Sequence, residues 1–154
     1  MSDPRLWPVI VRAGLLAGAL DITFACLYWA LRAGVPAERI FQSVAAGLLG
    51  ESSFSGGWAT AALGLGLHFA IVLAMAAAWC LAARRWPALL RHPWRGGVLY
   101  GLFLYGLMQF VVVPLSAAPG GSQDPLWITL SVLAHVVLVG LPIALLAGRF
   151  LRLP

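Results

Sequence analysis

The sequence predicts an all-α integral membrane protein: a four-helix bundle with one short outer interfacial helix. Three observations carry this expectation. Of 154 residues, 62% are hydrophobic and only 10% are charged, where soluble domains are about 45–50% apolar and about 25% charged. The apolar residues gather into four runs, each near the roughly 20 residues that a membrane-crossing helix needs. The ten basic residues, all arginine, stand at or near the ends of those runs. This composition excludes a soluble enzyme, a disordered tail and a nucleic-acid module. A transmembrane β-barrel would show alternating segments of about 10 residues, which are not visible.

The four runs are 10–31, 58–83, 97–117 and 126–150. Helix-ending punctuation separates them: Arg32-Ala33-Gly34-Val35-Pro36, then Arg84-Arg85-Trp86-Pro87, then Pro119-Gly120-Gly121-Ser122-Gln123-Asp124-Pro125. The spans and their connections make one domain over residues 1–154. Arg5 and Arg12 stand at the start of the first run, ahead of its long apolar stretch, as in a secretory leader. It also holds Asp21 and stays apolar past Cys26 through Leu27-Tyr28-Trp29, so it reads as a retained span.

The arginines orient the spans. With an even number of crossings, Arg5, Arg12, Arg84, Arg85, Arg91, Arg95, Arg149 and Arg152 share one side, leaving Arg32 and Arg39 opposite. The richer side is expected to be cytoplasmic, with both termini inside. Aromatic residues fit this reading: Trp7, Trp79, Trp86 and Trp94 at the inner boundary, Tyr28, Trp29, Trp58 and Trp127 at the outer one. Cys26 and Cys80 fall about 20 Å apart in depth, too far for a disulfide, and read as separate thiols.

Residues 36–50 form the short outer helix. Pro36 suits a helix start and Gly50 a helix stop. Ile40, Phe41, Val44, Leu48 and Leu49 mark an apolar face; Glu38, Arg39, Gln42 and Ser43 mark a polar one. A segment this short cannot span, so it lies at the interface as a structural helix or as a lid over the outer mouth. Gln42, Ser43 and Glu51 are its candidate functional positions. The polar stretch 51–57 reads as a hinge or loop.

Each span also carries one deep polar side chain: Asp21, His68, Gln109 and His135. Counted from Ile10, Trp58, Gly97 and Leu126, they lie about 14–18 Å deep, in the middle third of a layer of about 30 Å. Gly14, Ala17, Gly18 and Ala25 share the face of Asp21, His68 lies over Gly64 and Ala61, His135 over Ser131, and Gln109 over Tyr105 and Gly106. These are the small-residue faces through which membrane helices associate. Asp21, His68, Gln109, His135 and Tyr105 are therefore expected to meet in one buried polar centre. A charge at that depth is unfavourable by at least about 3 kcal/mol unless paired, and intramembrane ionisable groups are functional candidates by default.

Three chemistries are open to such a centre. Proton- or solute-linked function suits a carboxylate among imidazoles. Alternatively, His68 and His135 could be axial ligands of a b-type haem or, with a carboxylate, hold a transition metal; otherwise no cofactor is expected. Intramembrane hydrolysis fits worst. Ser131 is the one deep serine near His135, on the same helix, and neither a nucleophile elbow nor a zinc motif is present. An enzyme is thus the less favoured reading. Expected partners are the lipid bilayer, further copies of the chain, or a larger membrane complex, and not nucleic acid.

Gly14-Leu15-Leu16-Ala17-Gly18-Ala19-Leu20-Asp21, the segment Ile40 through Gly50, and Leu67-His68-Phe69 resemble a group of small bacterial four-span inner-membrane proteins over nearly the whole chain. A more distant similarity is to YagU-type inner-membrane proteins. Its signs are a His in the span before a basic loop, an aliphatic-Pro-Leu turn like Val113-Pro114-Leu115, and a His early in the next span like His135. The chain lacks the extended regions of the YagU type, and Asp21 stands outside the shared pattern. The resemblance implies a bacterial inner membrane and four spans; it implies no activity.

Overall fold

The computed structural model describes residues 4–151. Arg152, one of the arginines assigned to the inner side, lies outside the described residues. The helices are α1 (Leu6–Ala33), α2 (Ala37–Leu49), α3 (Gly57–Arg85), the short α4 (Ala88–Arg91), α5 (Pro93–Leu115) and α6 (Pro125–Phe150). α1, α3, α5 and α6 are long and apolar enough to cross a membrane. No strand occurs among the described residues. The fold is the all-α four-helix bundle that composition predicts.

Local chemistry sets the helix ends. Gly34 takes a left-handed φ of 64°, and its N–H and that of Val35 bond the carbonyls of Ala30 and Trp29. Glycine is the residue that reaches this conformation without a Cβ clash. Asp124 caps α6 by accepting from the N–H of Leu126 at 3.0 Å, with Pro125 in the first turn.

Small residues bring the helices together. α1 lies between α3 and α6, and α5 packs along α6. A Cβ on Gly14 would come within 2.7 Å of Leu73, and one on Gly18 within 2.8 Å of Phe69, so α1 and α3 run antiparallel in close contact. A Cβ on Gly101 would come within 2.5 Å of the His135 carbonyl oxygen. In the absence of a hydrophobic force between helices in lipid, such approach supplies the dispersion contact that holds them.

The arginine-bearing ends of α1, α3 and α6 meet α4 at one end of the bundle, the end expected from the arginines to be the inner one. Leu6, Leu90 and Leu151 are buried there in one core cluster. That cluster fills the inner half, through Ala13, Ala76, Leu104, Val139 and Ile143. Trp79 belongs to it, 5% exposed, and is a core residue rather than part of the boundary belt. Trp7, Trp86 and Trp94 are exposed, as belt residues are. Cys26 and Cys80 are both free.

The outer segment differs from its sequence reading at Gln42. Gln42 is not on a solvent face: it is 1% exposed, and its Nε2 donates to the Gly57 carbonyl at 3.1 Å. The cause is the fit of α2 on α3, where Gly64 faces the Phe41 carbonyl so closely that a Cβ has no room. Gln42, Ala45 and Ala46 then face the bundle, while Leu48 and Leu49 face outward. Within the stretch 51–57, read as a hinge or loop, the chain continues from Gly50 to Ser55 as a 3₁₀ turn. Arg39 braces it, donating to the Phe54 carbonyl at 3.3 Å with its guanidinium over the Phe54 ring.

Candidate functional site

Two wide turns shape the outer half of the bundle. α5 opens into a π-helical turn at Met108–Val112, and α6 into another at His135–Gly140. Pro114 and Pro142 lie just beyond them. Each proline lacks the N–H that would close an α-turn, and its ring crowds the carbonyl four residues earlier, which favours a widened turn. The first turn contains Gln109 and the second begins at His135.

Between α1, α5 and α6 lies a cavity of about 230 Å³, lined by Asp21, Tyr105, Gln109, Ser131 and His135. It has room for several waters or a molecule of a few heavy atoms. Ser122 and Trp127 also line it, so it extends from mid-depth towards the outer loop. Below it, Leu104, Val139 and Ile143 are almost wholly buried. The cavity therefore faces the outer end over an apolar seal.

Its polar groups are poorly matched to one another. The Asp21 carboxylate makes neither hydrogen bond nor ion pair with another described residue. His135 donates from Nδ1 to the Ser131 carbonyl at 2.9 Å, so Nε2 is the nitrogen that can accept when the ring carries one proton. The Tyr105 ring meets the His135 ring edge-on at 5.5 Å. The Ser131 side chain is 8% exposed and its Oγ has no partner. A buried hydroxyl in this state costs about 1–3 kcal/mol, which water or a ligand can relieve.

An aromatic cluster lies beside the cavity where α1 meets the start of α6. Trp127 stacks on Phe24 at 6.1 Å and 7° and meets Tyr28 at 4.9 Å and Trp29 at 5.1 Å. The Tyr28 hydroxyl donates to Asp124 Oδ2 at 3.2 Å, and Arg32 Nε lies 3.9 Å from the same oxygen. These contacts pin the outer end of α1 to the start of α6.

Four of the five residues expected in a polar centre thus share this cavity. His68 does not line it. Its Nε2 donates to the Gly18 carbonyl at 2.9 Å, across the α1–α3 contact, and its ring abuts Phe69. His68 and His135 consequently do not face each other across this cavity as a pair of axial ligands would. Among the described residues, no group of three or more His, Cys, Asp or Glu side chains is placed to hold a metal ion. Ser43 and Glu51 are exposed on the outer surface, away from the cavity. Sequence reasoning passed over Ser131 as a site residue and Trp127 as a wall. Depth was the available signal for Ser131, which lies one turn before His135.

The chain matches no family model, no curated protein and no solved structure. What the site can do rests on its own geometry.

Proposed function

We propose that this chain is a multi-pass bacterial inner-membrane protein whose outward cavity takes up a proton or a small hydrogen-bond-donating cation. One observation carries the reading: Asp21, which has no cationic partner among the described residues, shares a cavity with His135, whose Nδ1 is committed to the Ser131 carbonyl, and with the unpartnered Ser131 hydroxyl. A carboxylate at this depth is stabilised when a proton or cation neutralises it. The aromatic rings of Tyr105 and Trp127 also line the cavity, and such rings suit a cation. The apolar seal beneath makes the outer side the route of access. The arginine distribution and the resemblance to small four-span inner-membrane proteins support the membrane and the orientation, both termini cytoplasmic.

The test uses the protein in lipid nanodiscs, titrated by calorimetry with methylammonium, guanidinium and uncharged urea. Proton uptake is followed in parallel through the infrared carboxyl band of Asp21. Binding of either cation, or a titrating carboxyl band that Asp21→Asn removes, is the expected result. Cation heats equal to those of urea, together with no titrating band, would overturn the proposal.

A further inference from the structure

A second cavity opens at the inner end, with a volume of about 790 Å³. Arg91, Arg95 and Arg149 line it, with His92, Trp94 and Leu145. Three separate pieces of backbone deliver the three guanidinium groups: the end of α4, the first turn of α5 and the last turn of α6. Close contact of Gly148 with Pro93 and burial of Leu90 hold those pieces together.

The charge there has no answer among the described residues. No described acidic side chain lines the cleft. Asp21 is at mid-depth, and Glu38, Glu51 and Asp124 belong to the outer half. None of the three arginines forms an ion pair with a described residue. Three unpaired like charges around one space repel each other and attract an anion. Guanidinium groups fit phosphate oxygens through paired N–H donors.

The surroundings decide the source of that phosphate. The cleft lies where the spans end, at headgroup level, and basic pockets between helices at this level bind lipid headgroups. Trp94 is 64% exposed beside it. Leu145 gives the cleft an apolar wall, and Arg149 lies over the Phe150 ring at 5.6 Å. Such walls suit the glycerol and upper acyl region of a lipid better than a free ion. We propose that this cleft binds the phosphate headgroup of an anionic phospholipid, independently of the outer cavity.

Native mass spectrometry of the full chain from mixed micelles tests this. Equal amounts of phosphatidylglycerol and phosphatidylcholine are offered, and retained lipid is compared. Wild type is expected to retain phosphatidylglycerol preferentially. Each of Arg91→Gln, Arg95→Gln and Arg149→Gln should lower that preference about fivefold. The paired control Arg84→Gln/Arg85→Gln removes the same charge as Arg91→Gln/Arg95→Gln from the same end, outside the cleft, and should leave the preference nearly intact. Helix content by circular dichroism checks that each variant folds, and Arg149→Gln alone suffices if a double variant does not. Equal loss in both double variants would reduce the effect to net charge and overturn the site. Displacement of the lipid by millimolar inorganic phosphate would overturn the lipid assignment in favour of a free-anion site.

Discussion

His135 donates from Nδ1 to the backbone carbonyl of Ser131, one turn earlier on α6, at 2.9 Å. The bond chooses the tautomer, because a carbonyl oxygen can only accept. In the neutral ring Nε2 therefore holds the lone pair and offers the cavity an acceptor beside the Asp21 carboxylate rather than a second donor. Ser131 thus acts twice, its carbonyl setting the imidazole and its hydroxyl standing unpartnered at the same cavity.

This arrangement has a direct spectroscopic consequence. Nitrogen NMR of labelled, ligand-free protein, at a pH where the ring carries one proton, should show that proton on Nδ1 of His135 and Nε2 bare. His135→Phe, which keeps a ring and removes the acceptor, should fold and weaken cation binding by roughly 1.5–3 kcal/mol, the range for hydrogen bonds to charged groups. Protonation at Nε2 alone would contradict the geometry.

Asp21 and His68 lie at similar depth, but only Asp21 lines the cavity, so their variants are expected to differ. Asp21→Asn should keep the bundle folded, since an amide fits the same cavity, and should abolish cation binding or the titrating carboxyl band. His68→Gln should leave that binding within about threefold of wild type, because His68 turns to the Gly18 carbonyl and not to the cavity. Its cost should appear as stability, about 1–3 kcal/mol for the Gly18 contact and its surroundings. Parallel calorimetry and thermal unfolding of the two variants separate these effects. Equal binding defects would place both residues in one centre after all.

The spans were legible because composition in lipid leaves few choices: each long apolar run must satisfy its backbone internally, and a helix does so. The depths of Asp21, Gln109 and His135 were equally legible from residue counts. Facing was harder. The i±3 and i±4 neighbours of His68 identify the small-residue face of α3, and that face does meet α1, but at Gly18 rather than at the cavity. The π turns at Met108–Val112 and His135–Gly140 shift the angular register of the helical residues beyond them, which uniform helical spacing does not reveal. Gln42 misled for another reason. A polar residue opposite an apolar face reads as solvated, whereas beside lipid the larger apolar side chains turn outward and the amide turns in.

Close backbone approach gives a stability prediction with an internal control. A Cβ on Gly64 meets the Phe41 carbonyl oxygen, and one on Gly101 lies 2.5 Å from that of His135, so neighbouring backbone must shift. Gly64→Ala and Gly101→Ala should each destabilise by about 1–3 kcal/mol, the usual cost of overpacking. Gly66 has open space within 4 Å. Gly66→Ala should therefore be neutral or stabilising by up to about 1 kcal/mol through helix propensity. Thermal unfolding in one detergent ranks the three, and a destabilised Gly66→Ala beside a tolerated Gly64→Ala would contradict the α2–α3 contact.

Topology decides which compartment each cavity serves. Leu6, Leu90 and Leu151 are buried in one cluster, so the start of α1, the α3–α5 connection and the end of α6 share one end of the bundle. Arg84, Arg85, Arg91, Arg95 and Arg149 stand at that end, whereas Arg32 and Arg39 belong to the other, where Arg32 already lies 3.9 Å from Asp124. Arginine in short connections is retained on the cytoplasmic side during insertion. Reporter fusions after Ala88 and after Arg152 should accordingly read cytoplasmic, and one after Gly121 external. The external reading at Gly121 puts the mouth beside Ser122 and Trp127 outside, and the arginine cleft against the inner leaflet where anionic headgroups attract it. The opposite result at both positions would turn the Asp21 cavity towards the cytoplasm. Replacing Arg84, Arg85, Arg91 and Arg95 together with glutamine should weaken the orientation bias and yield mixed reporter signals, which ties the outcome to those charges.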